Sequence, residues 1–145
     1  MQRLRDGSRW MLRLEDGDEL FPRLTEFAKE EHVRAAAIVS GIGMLRTAVV
    51  GYWNGREYEW KETGEPMELI ALHGSIAVVE GAPSIHLHVG LADRRHTLHG
   101  GHLQKATVGV LAEVYVETFP ERTFGRPMNE SLGLRTLDLE PGPDP

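Results

Sequence analysis

Five of the chain's seven histidines fall between Ser84 and Leu103, in the run Ser-Ile-His-Leu-His-Val-Gly-Leu-Ala-Asp-Arg-Arg-His-Thr-Leu-His-Gly-Gly-His-Leu. His86 and His88 are two positions apart, and on a β-strand that spacing projects both imidazoles from one face while Ile85, Leu87 and Val89 project from the other. Their Cα atoms then stand roughly 6.5–7 Å apart, near enough for both rings to close on one divalent ion. His102 is the candidate third ligand, because Gly100-Gly101 allows the backbone an otherwise forbidden turn and a close approach. Three neutral imidazoles leave a metal its full double charge and a position for another ligand, which suits zinc or another divalent transition metal. Hydrolytic or lyase chemistry through a metal-bound water is one use of such a site, with Glu113 or His73 as proton acceptor. Holding a fold or an interface together is another.

The other polar residues of interest divide by context. His73, just before Gly74, is expected on a neighbouring strand from which it can face the same site. His96 and His99 sit beside Arg94 and Arg95 in a polar stretch that reads as a loop with solvated side chains. His32 ends a helix, where an imidazolium suits the dipole. Glu113 stands in an apolar run in register with Leu111 and Tyr115; there a buried carboxylate needs a histidine or a metal as partner, whereas on a half-exposed sheet it faces solvent. No Ser-His-Asp order or paired-carboxylate device is present.

Composition narrows the classes further. The absence of cysteine excludes disulfides, iron–sulfur clusters and thiolate zinc sites. With 16 basic against 22 acidic residues the chain carries a formal charge of −6, which disfavours direct binding of nucleic acid, since phosphate contacts need clustered Lys and Arg. Neither a secretory start nor a bilayer-length apolar run is present, so a soluble, cytoplasmic protein with no membrane partner is expected. A chain of 145 residues with 41% hydrophobic content fits one domain, placed at 1–139, followed by a Pro-Gly-rich flexible tail at 140–145.

The elements that must position these residues follow from local patterns. Trp10 to Glu15 reads as a first strand stopped by Asp16-Gly17-Asp18. A helix follows, capped by Asp16 or Asp18 with acidic residues in its first turn, and Leu20, Leu24, Phe27 and Ala28 trace its apolar face. Ala35 to Val39 predicts a buried strand kinked at Ser40-Gly41-Ile42-Gly43, an incomplete glycine motif with no phosphate-binding lysine. Asn54-Gly55 predicts a hairpin between Thr47–Trp53 and Glu57–Lys61. A strand over Met67 to Val79, bent at Gly74, turns at Glu80-Gly81-Ala82-Pro83 into the histidine strand. Ala106 to Phe119 reads as a central β-branched strand, Pro120 to Ser131 as a loop, and Leu134 to Leu139 as a short closing strand. Strands with hairpin signals and one principal helix imply an α+β domain with a mainly antiparallel sheet.

At His86-Leu87-His88, Gly100-Gly101-His102-Leu103 and Glu113-Val114 the chain resembles the plant and prokaryote conserved (PPC) domain family. That domain follows AT-hooks in plant nuclear proteins and stands alone in bacteria and archaea. Further matches run through Ser40-Gly41-Ile42-Gly43, Gly51-Tyr52, Glu68-Leu69-Ile70 and Gly74-Ser75-Ile76. The resemblance implies an α+β fold, assembly as a homotrimer and, in prokaryotic members, a metal held by histidines matching His86, His88 and His102. No enzymatic activity is firmly attached to the family, though some prokaryotic members carry a DNA-binding label. Phe124-Gly125-Arg126-Pro127 is the nearest stretch to an AT-hook core here, with Phe124 in place of its first arginine and no basic flanks. Glu65-Pro66-Met67-Glu68-Leu69-Ile70 matches a plant partner-binding segment but lacks its Gly-Arg. A small-molecule ligand at the metal and self-association are therefore the expected partners.

Overall fold

A computed structural model describes residues 1–141 of the chain. In order these form β1 (Gln2–Asp6), β2 (Arg9–Glu15), α1 (Leu20–Glu30), β3 (Ala36–Trp53), β4 (Tyr58–Glu62), β5 (Met67–Val79), β6 (Ala82–Ala92), β7 (Leu98–Thr118), β8 (Met128–Asn129) and β9 (Leu134–Arg135). The first seven strands make one sheet in the order β1-β2-β7-β6-β5-β3-β4. Every strand pairing is antiparallel. The long strands β3 and β7 also pair with each other, so β3, β5, β6 and β7 close into a ring, and only β1 and β4 are left as outer strands. Mostly antiparallel sheet with one helix is thus the architecture, and the helix is its smaller part.

The core lies on the side of the sheet that α1 covers. Leu20, Leu24 and Phe27 recur along one face of the helix and are fully buried, together with Leu12 and Leu14 of β2, Leu87 and Leu91 of β6 and Val108, Val114 and Val116 of β7. Complete burial of each such side chain contributes about 1.5–3 kcal/mol. Trp10 closes this layer edge-on against Phe27, with ring centroids 5.1 Å apart.

The helix begins differently from the expectation. Its N-cap is Glu19, with no side-chain cap and no acidic residue in the first turn. Asp18 instead accepts hydrogen bonds from the Glu15 N–H and from Arg23 Nε, tying the strand end to the helix. His32, just past the helix, takes a left-handed conformation with φ 53° and so occupies the place where helices usually end on glycine.

Several boundaries are corrected by the structure. The strand at Trp10 is the second, because Gln2–Asp6 precedes it and pairs with it across Gly7-Ser8. Asn54 anchors a four-residue connection by accepting the Arg56 and Glu57 N–H groups on its Oδ1, and only Gly55 uses positive φ. Glu80 and Gly81 alone make the tight turn, at φ 51° and 76°, so Ala82 and Pro83 belong to β6. Gly74 is not a bend; the register slip in β5 falls between Leu69 and Ala71. The strand expected from Ala106 is the second half of β7, which starts at Leu98 and carries Gly100-Gly101 inside it. Met128–Asn129 and Leu134–Arg135 form a small hairpin in the region expected to hold a loop and a longer strand. Of the expected tail, Glu140 and Pro141 are described and the rest lies outside the described residues.

Candidate metal centre

Strand alternation does what the spacing predicts. On β6, Leu87 is fully buried, Val89 is nearly so and both face the core, which turns His86 and His88 to the opposite face. β7 runs beside β6 in the register Leu87↔Leu103, His88↔His102, Val89↔Gly101, so His102 stands directly across from His88. The two glycines permit this by close approach and not by a turn. A Cβ at Gly100 would overlap the Val89 carbonyl oxygen, and one at Gly101, where φ is 156°, would come within 2.6 Å of the Gly51 carbonyl oxygen. Only residues without side chains let β7 be held this tightly between β6 and β3.

The result is a compact group in which His86, His88 and His102 each offer a ring nitrogen within 4.8 Å of the others. The ring centroids are 4.9 Å apart for His86 and His102, 5.1 Å for His86 and His88, and 5.3 Å for His88 and His102. His86 and His102 are half-buried, while His88 faces solvent. Beyond His102, the Tyr58 ring lies 4.7 Å away with its hydroxyl 3.3 Å from His102 Nδ1, and Tyr58 stacks on Trp60.

The remaining neighbour is Arg126, brought in by the C-terminal segment. The Phe124 carbonyl accepts the Val78 N–H of β5, and Gly125 exchanges hydrogen bonds with Asp138, laying the segment along the sheet. From there Arg126 NH1 donates to His86 Nδ1 at 3.1 Å and NH2 to Ser75 Oγ at 2.7 Å. Its side chain is 7% exposed.

These surroundings set the charge state of the rings. Burial, followed by the positive charge of Arg126 and the neighbouring imidazoles, pushes the His86 pKa down to about 4. Burial likewise lowers His102, with His88 and Arg126 adding to the effect. Burial also lowers the Arg126 pKa. Near neutral pH His86 is therefore an uncharged imidazole with a lone pair available, which is the ligating form. An all-imidazole donor set converging on one point fits a divalent transition metal such as zinc.

Not every candidate joins the group. His73 stands opposite His88 on β5, but its Nδ1 is held by the Val39 carbonyl at 2.8 Å. His99 lies on β7 and not in a loop, with Nε2 3.1 Å from Asp93 Oδ2; His96 is in the adjoining turn at φ 62°. Glu113 sits half-buried in the far half of β7, between Arg13 of β2 and Ile42 of β3. Sequence reasoning missed Ser75, Tyr58 and Trp60 around the histidines. Arg126 drew attention there only as part of a degenerate AT-hook core, and the structure buries it.

Proteins of known structure share this fold. A metal-containing protein from Archaeoglobus fulgidus is 36% identical, superposes with a TM-score of 0.83 and covers 90% of this chain and 92% of its own. A protein from Bacteroides thetaiotaomicron with a provisional DNA-binding label is 25% identical with a TM-score of 0.89, covering 97% of this chain and 98% of its own. Among curated proteins, the bifunctional protein GlmU of Synechococcus sp. (strain JA-2-3B'a(2-13)) is 29% identical over 136 residues, 90% of this chain. The chain spans about a fifth of the length of the curated relatives it matches, 20% for each of two. A family model matches residues 1–120, a span that holds all three clustered histidines and stops short of Arg126. With that match over most of its length, the chain belongs to the Plants and Prokaryotes Conserved (PCC) domain family.

Proposed function

We propose that this protein is a metal-binding domain with a binding or regulatory role, holding a divalent transition metal, zinc foremost, on His86, His88 and His102. The observation that carries the reading is the convergence of three ring nitrogens within 4.8 Å, with no carboxylate competing in the group. The similarity to a metal-containing archaeal protein at 36% identity supports it. The test is elemental analysis of protein purified without a histidine tag. The expected result is about one metal ion per chain, lost when His86→Ala and His102→Ala are combined. Retention of metal by that double variant would overturn the assignment.

The same reading takes the domain to act as a homotrimer. Ile42, Ile70 and Val110 are 55%, 46% and 67% exposed and line one shallow depression on the outer face of the sheet, an apolar surface of the kind subunit contacts cover. Light scattering at several protein concentrations measures the assembly, and a monomer throughout would remove this part.

A second reading, DNA binding, is favoured by the label on the Bacteroides protein. The charge of −6 opposes it, as does the burial of Arg126 within the hook-like stretch. A salt titration with random duplex decides, because phosphate contacts weaken steeply as salt rises.

No helix among the described residues is long and apolar enough to cross a membrane. A cytoplasmic location stays part of the proposal.

A further inference from the structure

We propose that the histidine centre takes an oxyanion, a carboxylate or phosphate group, and that Arg126 is the residue that receives it. The inference rests on the metal reading above and deepens it by naming the class of ligand.

The first observation is a buried cation without a counter-charge. Arg126 is 7% exposed, and among the described residues no carboxylate lies within ion-pair distance of its guanidinium. Its Nε–H is buried with no acceptor. Its two contacts are neutral, the Ser75 hydroxyl and the His86 ring. Burying a charge in this way is costly unless something negative completes the site.

The second observation is the direction of the Arg126–His86 hydrogen bond. A guanidinium can only donate, so His86 Nδ1 is the acceptor and the ring's single proton sits on Nε2. That Nε2 is the nitrogen facing the cluster, 3.2 Å from His102 Nδ1. Ligation through Nε2 therefore requires the proton to sit on Nδ1 instead. The ring remains neutral and no proton is gained or lost, but the acceptor that Arg126 was using has become a donor.

Metal on His86 and the Arg126–His86 bond are thus mutually exclusive. Once the ring is turned over to the metal, NH1 loses its partner and joins the Nε–H that never had one. A divalent metal on neutral imidazoles and a guanidinium beside it together carry three positive charges, with donors left unsatisfied. An oxyanion supplies both the charge and the lone pairs, and the planar fork of arginine matches its geometry better than any other side chain.

The test uses the full chain loaded with cobalt(II), whose visible absorption reports ligand changes at the metal. Inorganic phosphate and acetate are titrated in separate arms at constant ionic strength. Wild type should give a saturable spectral change with at least one of them, and the arm that responds more tightly identifies the source of the oxyanion. Arg126→Gln should weaken that response by at least about tenfold while still binding cobalt. Arg126→Lys, which keeps the charge without the fork, should fall between the two. Thermal melts check that both variants fold, and Arg126→Lys decides the matter if Arg126→Gln does not. Cobalt binding with no saturable anion response, or with an equal response in the variants that fold, overturns the role of Arg126 and leaves the metal site standing. No cobalt spectrum at all overturns both.

Discussion

Gly74 of β5 lies so close beneath His86 of β6 that a methyl group on it would overlap the His86 carbonyl oxygen and press on Leu87. Gly90, farther along β6, can take a Cβ in ordinary van der Waals contact, the nearest neighbour being the Ala71 Cβ at 3.5 Å from where it would stand. Gly74→Ala is expected to cost roughly 2–4 kcal/mol, because two paired strands must separate, and to weaken metal binding by displacing His86. Gly90→Ala should stay within about 0.5 kcal/mol of wild type. Urea unfolding of the two variants side by side checks this; equal midpoints would mean that β5 and β6 are not held together as described.

His73 and His88 face each other across β5 and β6, yet only His88 offers a nitrogen to the cluster. Replacing His88 with alanine should lower zinc affinity at least about tenfold, whereas His73→Ala should leave zinc affinity unchanged and cost about 1 kcal/mol of stability through the lost bond to the Val39 carbonyl. Competition with a chromophoric chelator measures both affinities. A drop of similar size in His73→Ala would place that ring on the metal.

Acid should weaken the chelator-treated protein before its carboxylates titrate. Folded His86 takes up its proton near pH 4, against 6.5 for an ordinary histidine, so between those values the unfolded chain binds more protons than the folded one. Stability therefore rises with pH across that window and falls as the pH drops from 6.5 towards 4. The expected loss is on the order of 2 kcal/mol after allowing for solvent screening at a half-buried ring. Unfolding midpoints at pH 7, 6 and 5 should show a slope that His86→Gln flattens; an unchanged slope in that variant would assign the effect to other groups.

Val110 is a β-branched residue at φ 66°, a conformation that crowds its side chain, and its N–H is held there by Asp16 Oδ1 at 2.9 Å. Asparagine tolerates that geometry, so Val110→Asn is expected to stabilise the isolated chain by roughly 0.5–1 kcal/mol. Thermal melts over a range of protein concentrations check it. In the proposed trimer, which would cover Val110, that gain should turn into a deficit that grows with concentration; a gain at every concentration would place Val110 outside the subunit contact.

How much of this was legible in the chain depended on whether a pattern is local. The alternation of His86-Leu87-His88-Val89 states which rings share a face, and the helix announces itself through Leu20, Leu24 and Phe27. Gly100-Gly101 marked a special backbone, but a pair of glycines signals a turn and a tight strand equally well, and only the neighbouring carbonyls of Val89 and Gly51 distinguish the two. β1 was invisible because Gln2, Leu4 and Asp6 are exposed on one side and Arg3 and Arg5 stand on the other, so neither face carries an apolar signal. Arg126 reaches His86 only because a distant segment is strapped to β5, and nothing in the spacing of one chain segment encodes a meeting with another that far along.

The ring formed by β3, β5, β6 and β7 leaves the seven-stranded sheet two outer strands, β1 and β4, and both are guarded. Arg3, Arg5 and Asp6 lie along β1, and Glu59, Lys61 and Glu62 along β4. A strand from another molecule that tried to extend the sheet would have to bury or match those charges, which makes cross-β propagation unfavourable from either side. The exposed apolar residues Ile42, Ile70 and Val110 thus lie on a sheet whose outer strands do not offer their backbone to every passing chain.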